Sequence, residues 1–337
     1  MKVAVIGNEE RYKKYMPDMD STKEAEIIYF PIGTSDEEII ESGKDSDILL
    51  VDAIAPVSQN LIEKLPNLRL IHSEGVGYNA IDIQTAKERG IYVCNNKGVN
   101  AGAVAEQTIL LMLGLLRKVV SGDRNVREGN QIQTKEKAMI EGITELADCK
   151  IGLIGFGDIA KATAKRLYPF ECELYYYSRT RLSKEVEDEY HVTYSELEEL
   201  TANCDIISIH VPVTEETTGM INQAFLKKMK KTAYLVNTAR GEIVDNIAMR
   251  EALIDGELQG AGFDTIYPEP MKKDNPLVNL PAEIEDAVLF SPHIGGITSS
   301  TFFRSHKNIW SNVEAVMNDQ RPNYVVNGVL KIKKTNI

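Results

Sequence analysis

The sequence predicts an α/β protein made of two doubly wound, parallel-sheet domains with a cleft between them. Three observations carry this expectation. Short β-branched runs alternate with helical patterns from one end of the chain to the other, the pattern of helices packed on parallel sheets. A glycine-rich turn of the kind that opens a doubly wound domain stands at Gly155, so the strands before it belong to a separate domain. With 337 residues the chain has room for two cores.

The first series of expected strands is Val3–Gly7, Ile27–Phe30, Asp47–Val51, Leu68–His72 and Ile91–Asn95. The start Met1–Gly7 has too short an apolar stretch for a signal peptide and reads as the first strand. Ala101–Val120 follows, with Val104, Ile109, Met112, Leu115, Leu116 and Val119 covering most of a helix. A helix apolar nearly all round is expected to be sandwiched between domains or subunits. Its run Ile109–Leu116 is far too short to span a membrane. Residues 121–147 are polar and charged, and read as a projecting arm and dimer contact or else as a plain surface excursion.

The second series is Ile151–Gly155, Glu173–Ser178, Asp205–Val211, Ala233–Thr238, Gly260–Asp264 and Val288–Ser291. A last helix over Ser299–Asn318 leads the chain back to the first domain. That domain is therefore expected to be discontinuous, residues 1–100 with 300–337, and the second to span 101–299. The two crossings are placed to act as hinges. Lys331–Lys334 reads as a solvated end.

Thirty-eight Lys and Arg against 50 Asp and Glu give a net charge of −12. That balance argues against nucleic acid or an anionic membrane as principal partner. Small anions remain open, through local arginines and amides. Cys94, Cys149, Cys172 and Cys204 follow no CxxC or ligand spacing. They read as reduced thiols of a cytoplasmic protein, and no metal site is expected.

The turn at Gly155 offers a dinucleotide's pyrophosphate a place to sit. Strand Ile151–Gly155 runs into Gly155-Phe156-Gly157-Asp158-Ile159-Ala160, followed by a helical pattern through Thr163, Ala164 and Leu167. Gly155 permits the tight turn, Gly157 lets backbone approach phosphate, and Ala160 is small enough for close helix–strand packing. This is a Rossmann-type start. Eighteen residues past Ala160, where NAD-selective sites place an acid for the ribose hydroxyls, the chain reads Tyr177-Ser178-Arg179-Thr180-Arg181. Arg179 suits a 2′-phosphate through charge-assisted bonds worth roughly 1.5–3 kcal/mol. NADP(H) is therefore the expected cofactor, with NAD(H) also admissible. The competing reading makes Arg179 and Arg181 solvated strand-end charges.

Three further segments end expected strands, where parallel sheets bind ligands. They are Val236–Gly241 with Arg240, Gly262–Pro270 with Asp264 and Glu269, and Ser291–Gly296 with His293. Taken singly, His293 reads as well as a capping or core histidine, Glu269 as a solvated charge and Arg240 as a structural ion pair.

Together these segments resemble the D-isomer-specific 2-hydroxyacid dehydrogenase family. The resemblance is carried by Gly75-Val76-Gly77-Tyr78, Asn100–Glu106, the glycine turn, Cys204–Pro212, Asn237–Gly241, Gly262–Pro270 and Pro292–Gly296, and so spans essentially the whole chain. It implies a Rossmann cofactor domain beside a flavodoxin-like substrate domain, a homodimer, and stereospecific hydride transfer between NAD(P)H and a small 2-oxoacid such as glyoxylate, hydroxypyruvate or pyruvate. It implies Arg240, Glu269 and His293 as the catalytic set, with His293 giving and taking the proton. The resemblance assigns the main-chain amides of Val76 and Gly77 to the substrate carboxylate. It assigns cofactor contacts to Val76, Thr108, Gly155, Phe156, Gly157, Asp158, Ile159, Ser178, Arg179, Thr180, His210, Val211, Pro212, Thr238, Ala239, Arg240, Asp264, His293 and Gly295. His72, His191 and His306 read as structural.

Departures from the family pattern narrow the choice. Ala160 replaces the third glycine, Asn79 stands where an aspartate is common, and Ser178-Arg179 replaces the NAD-type acid. The last of these places the chain nearer the NADPH-type glyoxylate and hydroxypyruvate reductases. Asp52–Pro56 offers no arginine for a substrate phosphate, and no added regulatory domain is expected. The rival reading is a nucleotide-sensing interaction protein, similar to the carboxy-terminal-binding-protein corepressors.

Overall fold

The structure is a computed structural model and describes residues 1–331. Of the expected solvated end, everything past Lys331 lies outside the described residues. The chain divides into two compact units, Met1–Val99 with the segment from Thr298, and Asn100–Ile297.

The first unit contains strands β1 (Lys2–Ile6), β2 (Glu26–Phe30), β3 (Ile48–Val51), β4 (Leu70–Ser73) and β5 (Tyr92–Cys94). They form a parallel sheet in the order β2-β1-β3-β4-β5, the flavodoxin-like arrangement, which reverses direction between β1 and β3. The period of two sends alternate residues to opposite faces, and both faces are covered. Ala4, Leu49, Val51 and Ile71 pack with Leu61 and Ile62 of the helix Gln59–Lys64. Val3, Ile48, Leu50 and Leu70 pack with Ile309, Trp310 and Val313 of the helix Ser299–Met317. That helix starts where Thr298 caps the amide of Thr301.

The second unit contains β6 (Lys150–Ile154), β7 (Glu173–Tyr177), β8 (Thr193–Tyr194), β9 (Ile206–Ile209), β10 (Tyr234–Asn237), β11 (Gly260–Phe263) and β12 (Val288–Phe290). All are parallel, in the order β12-β11-β10-β9-β6-β7-β8. The chain moves outward from β6 to β8 and then returns to β9 on the other side of β6. The reversal therefore falls between β6 and β9, where doubly wound sheets bind ligands.

Sequence and structure differ in detail. The edge strand β8 was not expected, because two residues carry no alternation. Gly155, Ser178, Thr238, Asp264 and Ser291 lie in the loops after their strands rather than in the ladders. The helix from Ala101 ends at Leu116, not Val120. Lys118 takes a left-handed conformation (φ 48°) and a new helix runs Val119–Arg127. Ile109, Met112 and Leu116 of the first helix are buried by this unit's own core, with Ile151, Leu153 and Leu167. The expected arm consists largely of Val119–Arg127 and Gln131–Glu141, and neither helix contains a buried residue. Among the described residues no helix is long and apolar enough to cross a membrane.

Candidate active site

The glycine turn connects β6 to the helix Asp158–Leu167. Gly155 has φ +90°, and a Cβ there would lie 2.6 Å from the carbonyl oxygen of His210, in the loop after β9. The turn can exist only with glycine, and it fits against His210 exactly at the sheet's reversal point. A Cβ at Gly157 would meet nothing within 4 Å. Gly157 is also the N-cap of the helix and gives its first-turn amides no side-chain partner. Open space above unpaired amides at a helix N-terminus fits a pyrophosphate. The residues present therefore suit a dinucleotide. Phe156 is buried against Tyr176, ring centroids 4.9 Å apart, so only its main chain is available there. His210 bonds Ser208 at 2.9 Å, and burial pushes its imidazole down to about 4, keeping it neutral.

At the end of β7 the two arginines separate. Arg181 donates from Nε and Nη2 to Glu187 at 2.9 and 3.2 Å and lies over the Tyr194 ring. It is a structural pair. Arg179 and Thr180 are exposed, while the Ser178 hydroxyl donates to the Thr180 carbonyl at 2.6 Å. The carboxyl of Glu216 is held below its usual range chiefly by the Thr214 hydroxyl, with the charge of Arg179 contributing.

The loop after β10 is shaped by Asn237. Its side chain accepts from the Ala239 amide (3.0 Å) and donates to the Arg240 carbonyl (2.9 Å). The Arg240 guanidinium is exposed and donates to the Ala239 carbonyl through Nη1 at 2.7 Å. The next residue, Gly241, admits no Cβ: one would sit 2.3 Å from Tyr267 N. The Arg240 loop is thereby seated on the segment that leads to Glu269. Thr108 is fully buried and its hydroxyl is engaged by the Val104 carbonyl and Thr238. It holds Thr238 instead of presenting a free group of its own.

Glu269 and His293 meet: the imidazole Nδ1 lies 2.8 and 2.9 Å from the two carboxylate oxygens. Both residues are exposed, and with Nδ1 taken the other ring nitrogen is left for chemistry. His293 has φ +56°, uncommon for a residue with a side chain. Asp264 explains how that conformation is kept. It accepts from the Ile294 amide (3.0 Å), the Gly295 amide (2.8 Å) and the Ser291 hydroxyl. Ser291 in turn receives a bond from Gln107 Nε2 at 2.9 Å. Neither Ser291 nor Gln107 was legible as functional, since only tertiary structure brings residues 107, 264 and 291 together. A buried Asp264 spent on three loop bonds has one acceptor position left.

In the other unit, Gly75-Val76-Gly77 follows β4. The Ser73 hydroxyl donates to the Gly77 carbonyl at 2.6 Å, and Asn95 Nδ2 donates to the Val76 carbonyl at 2.7 Å. With these carbonyls tied inward, the loop's shape is fixed by side chains below it. Among the described residues no cluster of His, Cys, Asp or Glu is arranged to hold a metal ion.

A doubly wound dinucleotide domain ending in a Glu–His pair and an exposed arginine defines a nicotinamide-dependent oxidoreductase. The family described as "D-isomer specific 2-hydroxyacid dehydrogenase, NAD binding domain" matches residues 109–295. Glyoxylate reductase of Thermofilum pendens is 37% identical over 300 residues, covering 89% of this chain and 87% of that protein. Glyoxylate reductase of Pyrococcus furiosus is 38% identical over 304 residues, 88% of each chain. The crystal structure of the PH0520 protein from Pyrococcus horikoshii superposes with a TM-score of 0.76 at 30% identity, covering 97% of this chain and 95% of that one. The chain belongs to the D-isomer-specific 2-hydroxyacid dehydrogenase family. It is an NAD(P)-dependent 2-oxoacid reductase, and these relatives do not favour the nucleotide-sensing alternative.

Proposed function

We propose that this enzyme reduces small 2-oxoacids, glyoxylate foremost, with NADPH as preferred donor. The observation that carries the reading is the His293–Glu269 pair, with one ring nitrogen fixed by the carboxylate at 2.8 Å. The identity of the glyoxylate reductases at 37% and 38% supports the substrate. The exposed Arg179 after β7, with no acid at Ser178, supports the cofactor.

The bound cofactor supplies a hydride from the nicotinamide C4. His293 places Nε2 at the carbonyl oxygen and delivers the proton that the developing alkoxide needs. Glu269 on Nδ1 fixes the tautomer and the orientation of the ring. Arg240 holds the substrate carboxylate and polarises the ketone, which a planar guanidinium suits better than a lysine. In the first unit, the main-chain amides of Val76 and Gly77 are the groups assigned to the substrate carboxylate. Gly155–Ile159, Ser178–Thr180, His210–Pro212, Thr238–Ala239, Asp264 and Gly295 hold the cofactor, largely through main chain. Two copies associate through the arm, whose two contacting helices expose Val119, Val126, Ile132, Met139 and Ile140; exposed apolar side chains concentrated in this way suit an interface.

The test is loss of NADPH or NADH absorbance on adding glyoxylate, hydroxypyruvate or pyruvate. The highest kcat/KM is expected for glyoxylate with NADPH. A higher value with NADH for every acid would contradict the cofactor assignment, and no turnover with any acid the whole reading.

A further inference from the structure

No motif marks Arg11, in the helix Glu9–Tyr15, yet it binds two loops of its unit together. Its Nη2 donates to Asp52 at 2.6 Å and also to Glu74, and its Nε donates to Glu74 at 3.1 Å. On the far side His306, fully buried, puts Nε2 2.9 Å from Glu74. The guanidinium lies 5.5 Å from the Phe302 ring centroid, which closes the cluster over. Burial alone would lower the pKa of Arg11, but Glu74 and Asp52 more than offset it and hold the value above normal.

The two carboxylates stand at informative places. Asp52 follows β3 and accepts the Ile54 amide at 3.1 Å, so it shapes the loop Asp52–Pro56. Glu74 follows β4 and immediately precedes Gly75-Val76-Gly77. The two loops touch, since a Cβ on Gly75 would fall 2.8 Å from the Ala53 Cβ. A buried Glu74 and a partly buried Asp52 beside a loop assigned to an anion are electrostatically adverse unless neutralised.

We propose that Arg11 is a positioning residue for substrate binding: it clamps Asp52 and Glu74, fixes the Gly75–Gly77 loop, and cancels the negative field that the substrate carboxylate would otherwise meet. The proposal rests on the reading that Val76 and Gly77 receive that carboxylate. Removing Arg11 makes the cluster one charge more negative whatever His306 carries. Its effect therefore falls on the anionic substrate and spares the cofactor.

The experiment compares wild type, Arg11→Met, Arg11→Lys and the double variant Arg11→Met with Glu74→Gln. Arg11→Met is expected to raise the KM for glyoxylate about tenfold or more, while kcat and the KM for NADPH hold. Arg11→Lys recovers part of the loss. A buried pair broken on one side is destabilising, whereas removing both charges is better tolerated, so the double variant keeps the test open should Arg11→Met not fold. The double variant is expected to recover most of the KM increase. An unchanged KM in Arg11→Met, or a double variant as impaired as the single one, overturns the proposal while wild-type turnover leaves the functional reading standing. Wild type inactive toward every 2-oxoacid overturns that reading and this proposal with it.

Discussion

Asp264 receives the main-chain amide of Gly295 at 2.8 Å, and two residues earlier His293 is held with φ +56°. One buried carboxylate thus sets the backbone that aims the proposed acid. The Ser291 hydroxyl is the link whose loss is easiest to read, because it donates to Asp264 and is itself oriented by Gln107. Ser291→Ala is expected to lower kcat about tenfold by loosening the loop. Ser291→Thr, which keeps the hydroxyl, restores it. Steady-state kinetics of the two variants decide the matter, and equal activities would show that the hydroxyl has no part in aiming His293.

Arg179 and Arg181 are both exposed after β7, but Arg181 is committed to Glu187. Arg179→Asp is expected to move the NADPH to NADH ratio of kcat/KM by about tenfold to a hundredfold toward NADH. Arg181→Met, by contrast, leaves the ratio in place and lowers thermal stability. The ratio measured for both variants separates a phosphate ligand from a structural charge.

His72 gives stability a pH dependence of known sign. It is buried, its Nδ1 donates to the Ser73 carbonyl at 2.8 Å, and its Nε2 faces Asn312 at 3.0 Å. Burial first, and the nearby His306 to a lesser degree, bring its pKa from 6.5 down to about 4. The folded value is depressed, so this contribution is complete above about pH 6.5. It falls away as pH drops toward 4, because the unfolded chain takes the proton first. The loss amounts to roughly 3 kcal/mol at the low end. Urea unfolding of wild type and His72→Gln from about pH 7 to pH 4.5 is expected to show a shallower decline in the variant. Parallel declines would contradict it.

The arm makes a prediction about assembly. Ile132 and Met139, seven residues apart on one helix face, are 63% and 68% exposed. If two copies meet there, replacing both with glutamate puts charge into an apolar contact and splits the dimer. Sedimentation is expected to give twice the chain mass for wild type and the single mass for the double variant. A monomeric wild type contradicts the proposed dimer.

Much of the architecture was legible because buried parallel strands are continuous apolar runs; Ile48–Val51 and Ile206–Ile209 need no subtler signal. The strand ends were overrun for a physical reason. Residues such as Asp264 and Ser291 adjoin apolar runs but belong to loops whose bonds are tertiary. The glycine turn announced itself through local geometry, since Gly155 must accept φ +90°. Glu269 and His293 were legible only as members of an ordered set, because neither has a local pattern of its own. The clusters around Arg11 and Asp264 left no trace in the sequence. Their members lie tens to hundreds of positions apart, and only the folded sheets bring them within bonding distance.

The central claim is that His293, oriented by Glu269, delivers the proton during reduction. Single-turnover glyoxylate reduction by His293→Asn, with NADPH binding measured on the same preparation, tests it most directly. The account predicts a rate lower by about 10²–10⁴ with the NADPH Kd unchanged. A wild-type rate from that variant would contradict it.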